Sequence, residues 1–383
     1  MTVGTPSTST AKLDALTGLR FVAALHVVLF HFFGASSWLP RAARNIVGSG
    51  YVGVSFFFVL SEFVLSYNYL NSSRGLSISP KAFLAARFAR VYPVYVVGLA
   101  LAAPMFLYRA HSADVDAIHV ATRALAAMGL LQAWSPTTAT AWNPPGWSLS
   151  AEAFFYASFP LIAHLLNRST KRTSIFIAGY CLSLLVSVAY CILNPDDIAD
   201  PWFTRHKDTW IDVVRFNPLV RLPEFLMGVI AGQVFLDLRS QRLALSATGL
   251  RAVALICPAV LGLALAASDA IPYALLHNGL LAPAFAGVIL SLPLRGGRLA
   301  RALASPPLLV LGDASYALYI LHFPVQEAVR KTCERFDVSD TSFFLANALA
   351  IIIVIAASVL VHRLVEVPAR RILRKMMTDE SRV

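Results

Sequence analysis

Long apolar stretches alternate with short polar connections along the whole chain, and this pattern limits the possible folds more than any other feature. A helix needs about 20 apolar residues to cross the hydrocarbon core of a bilayer. Ten stretches approach that length: 16–35, 50–70, 90–108, 147–167, 174–194, 219–237, 248–267, 272–292, 306–328 and 341–363. Charged residues make up only 14% of the 383 residues, too few to cover a soluble domain of this size. We therefore predict an all-α integral membrane protein, a bundle of about ten transmembrane helices.

The distribution of basic residues predicts the orientation of this bundle. With ten spans and a cytoplasmic N-terminus, 20 of the 32 Lys and Arg residues fall on the cytoplasmic side, 11 fall outside, and Arg20 lies within the membrane. Cytoplasmic loops of membrane proteins carry such an excess, so both termini are expected in the cytoplasm. The stretch 112–135 is apolar but interrupted by four ionisable residues, Asp114, Asp116, His119 and Arg123. We interpret it as interfacial or re-entrant, because an eleventh span would reverse the charge bias.

Three segments follow from this division of the chain. The expected segments are a disordered cytoplasmic N-terminus at 1–11, a transmembrane domain at 12–372 and a basic cytoplasmic tail at 373–383. The net charge of +11 arises from residues placed between apolar stretches, where they face anionic lipid. We therefore expect the lipid bilayer, and no nucleic acid, as a partner. The four cysteines show no metal-ligand spacing, and no metal is expected.

Two ionisable residues of the first apolar stretch share one helical face. Arg20 and His31 are eleven residues apart, close to three full turns, and are separated by roughly 16 Å along the helix axis. His26 falls off that face. Ionisable groups inside the membrane are costly and commonly mark functional sites. The alternatives are an Arg20 that reaches the membrane surface and a His31 that is merely hydrogen-bonded within the bundle.

Four spans each place one ionisable residue near the predicted outer boundary. These residues are His31, Glu152, Glu224 and His322. All lie within roughly two helical turns, about 10 Å, of that boundary, which predicts a shared cavity open to the outside. A scatter of unrelated interfacial anchors is the alternative.

A cationic cluster is predicted at the opposite, cytoplasmic side. Arg87 and Arg90 are three residues apart on one helical face, and Arg20 enters the membrane from the same side. Three guanidinium groups can bind a phosphorylated ligand, although ordinary positive-inside charge is the alternative. Together the two clusters suggest a phosphate-bearing donor from the cytoplasm and a hydroxyl acceptor from outside. His31 would be the general base, with a carboxylate to orient it.

Ordered sequence blocks resemble the acyltransferase-3 family of membrane O-acyltransferases from about residue 12 to 372. The opening LDALTGLRFVAALHVVLFHF is similar to the family signature, in which a basic residue and a His have ten residues between them; Arg20 and His31 match it. Further similar blocks are GYVGVSFFFVLSEFVLSY, the paired arginines Arg87 and Arg90 followed by Tyr92 and Pro93, WNPPGWSLSAEAFFYASFP, RLPEFLMG, LGDASYALYILHFPV and a closing Glu366 with Pro368.

The resemblance implies a function and a location. Members use acyl-CoA, usually acetyl-CoA, as donor and acylate hydroxyls of carbohydrates or glycosides. They are multi-pass proteins of the bacterial inner membrane. Two departures are notable: Glu62 stands where the family usually has Gly, and Ala153 replaces a frequent second Glu.

These considerations give a set of candidate residues. The candidate catalytic residues are His31, Glu152 and Arg20, and the candidate residues for acyl-CoA binding are Arg87, Arg90 and again Arg20. Acceptor binding is assigned to Trp147, Ser150, Glu224, Tyr316 and His322, with Glu62 as an auxiliary carboxylate. Buried His, Glu and Arg also occur in proton-coupled transporters, and an export or assembly partner is a third reading. Repeated halves with broken helices, typical of transporters, are not found in the sequence.

Overall fold

The structure, a computed structural model, describes residues 11–34, 36, 38–71, 75–168, 172–198 and 209–372. Nearly all of the predicted disordered N-terminus, and the whole of the predicted basic tail, lie outside these ranges. The described chain is helical, and its only strand-like pairing is an isolated bridge between Leu70 and Leu76. The predicted all-α class is therefore confirmed.

Sixteen α-helices follow one another in the described ranges. They are α1 (Ala11–Phe33), α2 (Arg41–Gly48), α3 (Gly53–Tyr69), α4 (Pro80–Ser112), α5 (Ala117–Met128), α6 (Trp147–Arg168), α7 (Arg172–Leu193), α8 (Thr209–Phe216), α9 (Leu222–Arg239), α10 (Ala247–Ala266), α11 (Tyr273–His277), α12 (Ala282–Arg295), α13 (Arg298–Leu303), α14 (Pro306–Asp313), α15 (Ser315–Arg335) and α16 (Asp340–Val361). A π-helical turn, His362–Glu366, prolongs α16.

Six helical segments of the described chain are long and apolar enough to cross a membrane, and a bent pair makes a seventh. The six are Leu13–Phe33, Arg41–Tyr69, Pro80–Ser112, Ala247–Ala266, Tyr273–Arg295 and Asp340–Ile372. The bent pair consists of α14 and α15, and the chain bends by 62° between the two helices. The protein therefore has the helices of a multi-pass membrane protein.

The other three predicted spans coincide with α6, α7 and α9, which are less apolar or shorter over their described residues. Glu152 lies in α6, and α9 has only 18 residues and contains Glu224. The count of ten crossings thus stays a prediction. α5, with 12 residues, is too short to cross a bilayer, since each residue adds about 1.5 Å.

Helix α4 begins ten residues earlier than the predicted span. Ser79 caps it by accepting a hydrogen bond from the Ala82 amide at 3.2 Å, and Pro80 occupies its first turn. Both residue types favour helix starts. Arg87 and Arg90 therefore lie within α4, and the predicted start of this span at residue 90 was too late.

The predicted helix at 272–292 is broken into α11 and α12. The chain leaves helical geometry after His277, and Gly279 adopts φ +78°, a conformation that side chains with a Cβ rarely tolerate. A break inside an apolar bundle exposes backbone groups that need other partners. The side chain of Arg221 provides one of them, as described below.

Two hydrophobic clusters form the core, and α1, α3 and α9 contribute to both. The first cluster adds mainly α4, α6, α15 and α16, and the second adds α11 and α12. By contrast, α10 has no buried residue and exposes Leu255 and Leu263, as expected of a helix that faces lipid. The polar groups of interest lie within the first cluster and at its border with the second.

Small residues allow α3 and α9 to approach closely. Gly228 and Gly232 lie four residues apart on α9, the spacing found where membrane helices cross tightly. A side chain at Gly228 would collide with the Val59 carbonyl and the Glu62 Cβ, and one at Gly232 would meet Ser66. This contact therefore fixes where Glu62 and its neighbours lie relative to α9.

Substitution of Gly228 tests this helix crossing. We expect Gly228→Leu to destabilise the protein by about 1–3 kcal/mol, the usual effect of overpacking. Gly262→Leu is the matched control, because Gly262 is also helical but has no atom near an added Cβ. Thermal unfolding in a defined detergent measures both; equal Tm values for the two variants would contradict the close approach.

Candidate active site

A cavity with about 790 Å³ of empty space, part of it open to the surface, lies between α1, α3, α4, α6 and α15. Its polar lining consists of Arg20, Ser61, Arg87, Arg90, Ser148, Glu152, Tyr156, Ser315, Tyr316 and Tyr319. The three arginines predicted to cluster are thus brought together.

None of these three guanidinium groups forms an ion pair with a carboxylate in the part of the chain that the structure describes. Arg87 instead donates to the Tyr69 hydroxyl at 2.8 Å, and its buried Nε has no partner. Arg20 is in electrostatic contact with Arg90 as well as with Glu152 and Glu366. Guanidinium groups that lie side by side without a carboxylate partner are suited to bind an anion.

Glu152 lines this same cavity, contrary to the sequence-based expectation. It lies near Arg90 and Arg20, and the hydroxyls of Ser61 and Tyr156 are within hydrogen-bonding reach. Of the four residues predicted to share an outer cavity, only His31 and His322 meet, and the grouping of Glu152 and Glu224 with them was wrong. The physical reason is that the segment before α6 is buried in the bundle, so α6 begins inside the protein and not at its outer surface.

His31 is paired with a second histidine. His322 Nε2 lies 3.2 Å from His31 Nδ1, which is also 2.9 Å from the Val27 carbonyl oxygen. The rings of Phe30 and Phe323 pack edge-on against His31, with centroids 4.8 Å and 5.5 Å away. No carboxylate of the described residues contacts His31. The group that contacts His31 is thus His322 and not the expected carboxylate, and His322 does not line the arginine-rich cavity.

The histidine pair adjoins two cavities through α15. Tyr319, one turn before His322, lines the arginine-rich cavity. Phe323, which contacts His31, lines a second, largely apolar cavity together with Trp142 and Arg109. His31 thus contacts Phe323, which lines the apolar cavity, and His322, which lies one turn after Tyr319 in the arginine-rich cavity.

Glu224 belongs to a different, fully buried network. Its carboxylate pairs with Arg221 at 2.8 Å, and neither side chain is exposed. Arg221 also donates to Ser55 Oγ at 2.9 Å, to the Asn278 side chain at 2.6 Å and to the His277 carbonyl oxygen. This network satisfies the backbone at the break between α11 and α12. Glu224 is therefore placed as a structural residue, not as a group that faces acceptor.

Trp147 and Ser150 also hold the fold together. The indole of Trp147 lies 5.5 Å from the Arg221 guanidinium and packs on Phe216. Ser150 is fully buried and accepts a hydrogen bond from the Ala133 amide at 3.2 Å. Neither lines the arginine-rich cavity, so their predicted contact with acceptor is not supported by their placement.

Tyr316 and Glu62 have different positions. Tyr316 lines the cavity and donates its hydroxyl to the Val91 carbonyl at 2.7 Å. Glu62 is fully buried next to the cavity, and neither carboxylate oxygen has a hydrogen-bond partner in the described chain. Glu152 and Arg87 are its nearest charged neighbours. Its assignment as an auxiliary carboxylate stays a prediction.

Sequence reasoning missed Arg221, His277 and Tyr156. Arg221 was counted as an external basic residue, yet it is the largest fully buried side chain among the described residues. Arg221 and Glu224 are three residues apart, a spacing that predicts an ion pair on one helical face. Tyr156 lies in the block WNPPGWSLSAEAFFYASFP that resembles the family but was assigned no role, and His277 gave no comparable signal. The described residues contain no group of three or more His, Cys, Asp or Glu side chains that could hold a metal ion.

The fold is that of a multi-pass membrane protein whose described residues include an arginine-rich cavity and a buried histidine pair. Residues 13–363 match the family model of the acyltransferase domain, so the chain belongs to this acyltransferase family. It is 28% identical to the acyltransferase MdmB of Streptomyces mycarofaciens over 94% of this chain and 92% of that protein. It is 30% identical to the exopolysaccharide production protein ExoZ of Rhizobium meliloti, over 71% and 75% of the two chains. No solved structure matches the chain.

Removal of Arg221 tests the buried network. Arg221→Leu leaves the Glu224 carboxylate and the His277 carbonyl without their partner, and we expect a loss of about 3–5 kcal/mol. Arg221→Leu combined with Glu224→Leu should regain part of that loss, because no lone charge is then buried. Thermal unfolding measures the effect.

Arg41→Leu is the control for this experiment. It removes an exposed ion pair with Asp269 (2.8 Å, with 74% of the Arg41 side chain accessible), so the change in Tm should be small. A loss from Arg221→Leu no larger than the control's would contradict the structural role of the network.

Proposed function

We propose that this acyltransferase moves an acyl group, most simply acetyl, from cytoplasmic acyl-CoA to a hydroxyl of a membrane-presented or extracytoplasmic glycan or glycoside. The observation that carries the proposal is that His31 contacts Phe323, which lines the apolar cavity, and also contacts His322, one turn after Tyr319 in the arginine-rich cavity. A charged donor and a different acceptor can then meet at one base.

The arginine-rich cavity supports a phosphate-bearing donor. Arg20, Arg87 and Arg90 supply planar guanidinium groups that match phosphate oxygens in bidentate geometry. Tyr69 holds Arg87 by a hydrogen bond and a cation–π contact at 5.1 Å. This preorganisation lowers the entropy lost when a ligand binds. Glu152, among these cations, balances their charge and orients them.

The length of the donor fits the separation of the two clusters. Arg20 and His31 are roughly 16 Å apart along α1, which a compact ligand does not span. Coenzyme A carries its phosphates and its thioester at opposite ends of a long, thin arm. With the phosphates at Arg87 and Arg90, the arm would pass Tyr316 and Tyr319 on α15 and bring the thioester toward His31.

The chemistry follows from one unprotonated histidine nitrogen. His31 Nε2 takes the proton of the acceptor hydroxyl as its oxygen attacks the thioester carbonyl. The tetrahedral intermediate collapses, the C–S bond breaks, and the new ester stays on the acceptor. The His31 imidazolium then returns its proton to the CoA thiolate. Atoms and charge balance without a metal or a redox step.

The class of acceptor is inferred from the residues of the apolar cavity and from the name of a similar protein. The apolar cavity contains Trp142, stacked on Phe106 with centroids 4.8 Å apart, and an ion-paired rim of Arg109 and Glu327 at 2.7 Å. An aromatic surface beside polar groups suits a sugar or glycoside. ExoZ is named for exopolysaccharide production, which supports a carbohydrate acceptor here.

The proposed topology places the donor side in the cytoplasm. Ten crossings with both termini inside give the excess of cytoplasmic Lys and Arg described above, and the bacterial inner membrane is the corresponding location. Arg87 and Arg90 then lie near the cytoplasmic end of α4. Inverted membrane vesicles should therefore accept added acetyl-CoA, and sealed right-side-out vesicles should not.

The first prediction concerns the donor. Arg87→Gln with Arg90→Gln should weaken acetyl-CoA binding by about 100-fold or more, because each charge-assisted hydrogen bond contributes about 1.5–3 kcal/mol. Titration of purified protein with acetyl-CoA measures the affinity. Arg298→Gln with Arg301→Gln is the matched control, since these arginines are also three residues apart, exposed on α13, and outside the cavity. Similar affinities in both double variants would reject the arginine site.

The second prediction concerns the base. His31→Ala should lower transfer by roughly 10²–10⁴-fold while acetyl-CoA binding persists. His26→Ala is the control: His26 lies on the same helix and contacts the Ile46 carbonyl at 2.6 Å, away from the cavities. It should cost only about 1 kcal/mol of stability and retain activity. Near wild-type transfer by folded His31→Ala would reject the catalytic role.

A further inference from the structure

The proton positions of the histidine pair follow from which neighbours can only accept. His322 is fully buried, and its Nδ1 lies 2.7 Å from the Tyr319 carbonyl oxygen. A carbonyl oxygen cannot donate, so Nδ1 of His322 carries the hydrogen. In a neutral imidazole the other nitrogen is then a bare acceptor. His322 Nε2 therefore presents a lone pair toward His31.

The same reasoning fixes His31. Its Nδ1 lies 2.9 Å from the Val27 carbonyl oxygen and 3.2 Å from His322 Nε2. Both neighbours accept, so Nδ1 of His31 carries a hydrogen shared between them. His31 Nε2 is consequently unprotonated, which is the state that a general base requires. In the opposite tautomer, His31 Nδ1 would carry a lone pair. That lone pair would face both the lone pair of His322 Nε2 and the Val27 carbonyl oxygen, and both contacts would be repulsive.

We propose that His322 is a positioning residue that holds His31 in the Nδ1–H tautomer and presents its Nε2 to the acceptor hydroxyl. This inference rests on the proposed function of His31 as the base. His322 itself neither gains nor loses a proton. When His31 Nε2 takes the hydroxyl proton, the positive charge is shared through the Nδ1–H bond to His322, and the proton later passes from Nε2 to the departing thiolate.

A neutral partner suits this place in the bundle. A carboxylate beside His31 would be a buried charge, which an apolar environment strongly disfavours. Imidazole supplies an acceptor of the right geometry without that charge. The flanking rings of Phe30 and Phe323 restrict rotation of the His31 ring and complete the alignment.

Substitution of His322 by Gln or by Asn distinguishes its contact with His31 from its contact with the Tyr319 carbonyl. The amide of Gln reaches the position of the histidine Nε2 and can accept from His31 Nδ1–H. The amide of Asn reaches only the position of Nδ1, so it keeps the contact with the Tyr319 carbonyl and loses the contact with His31. The two variants therefore test positioning of the base against structural support of α15.

The test compares purified His322→Gln, His322→Asn and His322→Ala, with CoA release from acetyl-CoA as the readout and water or methyl glucoside as acceptor. We expect kcat of the Asn and Ala variants to fall roughly 10- to 100-fold, a part of the general-base contribution. His322→Gln should stay within about fivefold of wild type, and KM for acetyl-CoA should hold in all three. Wild-type kcat for His322→Asn, or equal losses in the Gln and Ala variants, would overturn the proposal.

A double-mutant cycle separates this proposal from the proposed function. In a His31→Ala background, His322→Asn should cause no further loss of kcat, since the base it positions is gone. An additional 10-fold loss would overturn the positioning role and leave His31 as the base. An active His31→Ala protein, or a wild type that does not use acetyl-CoA, would instead overturn the function on which the proposal rests.

Discussion

A polar group inside an apolar bundle is stable only where another polar group meets it. Arg221 shows how much of this fold depends on that requirement. Its guanidinium joins Glu224 on its own helix, Ser55 on α3 and the residues at the end of α11. The break after His277 exists because this side chain satisfies the freed carbonyl.

The arginine-rich cavity and the histidine pair meet this requirement for polar partners in different ways. At the cavity, Arg20, Arg87 and Arg90 have no ion-paired carboxylate among the described residues, so their requirement for an anion is left to a ligand. At the pair, His31 and His322 satisfy each other and two backbone carbonyls. In the proposed mechanism, the arginines bind the donor and the histidine pair transfers the proton.

Helix packing brings the two together. Residues 20 and 31 share one face of α1, and that face lies against α14 and α15. Tyr316, Tyr319 and His322 follow one another along α15, from the cavity to the histidine pair. In the proposed mechanism, a donor bound among the arginines would lie along α15, with its reactive end toward His31.

The sequence by itself determined the all-α membrane class, the face shared by Arg20 and His31, and the arginine cluster, because helical periodicity and hydropathy are local properties. It also determined the family, through ordered blocks. Tertiary structure decided that Glu152 joins the arginines, that Glu224 pairs with Arg221, and that His322 meets His31. Depth along a span was a poor guide to these partners. The rotation of each helix and the burial of the segment before α6 decide which side chains meet, and neither is encoded in the hydropathy of a single stretch.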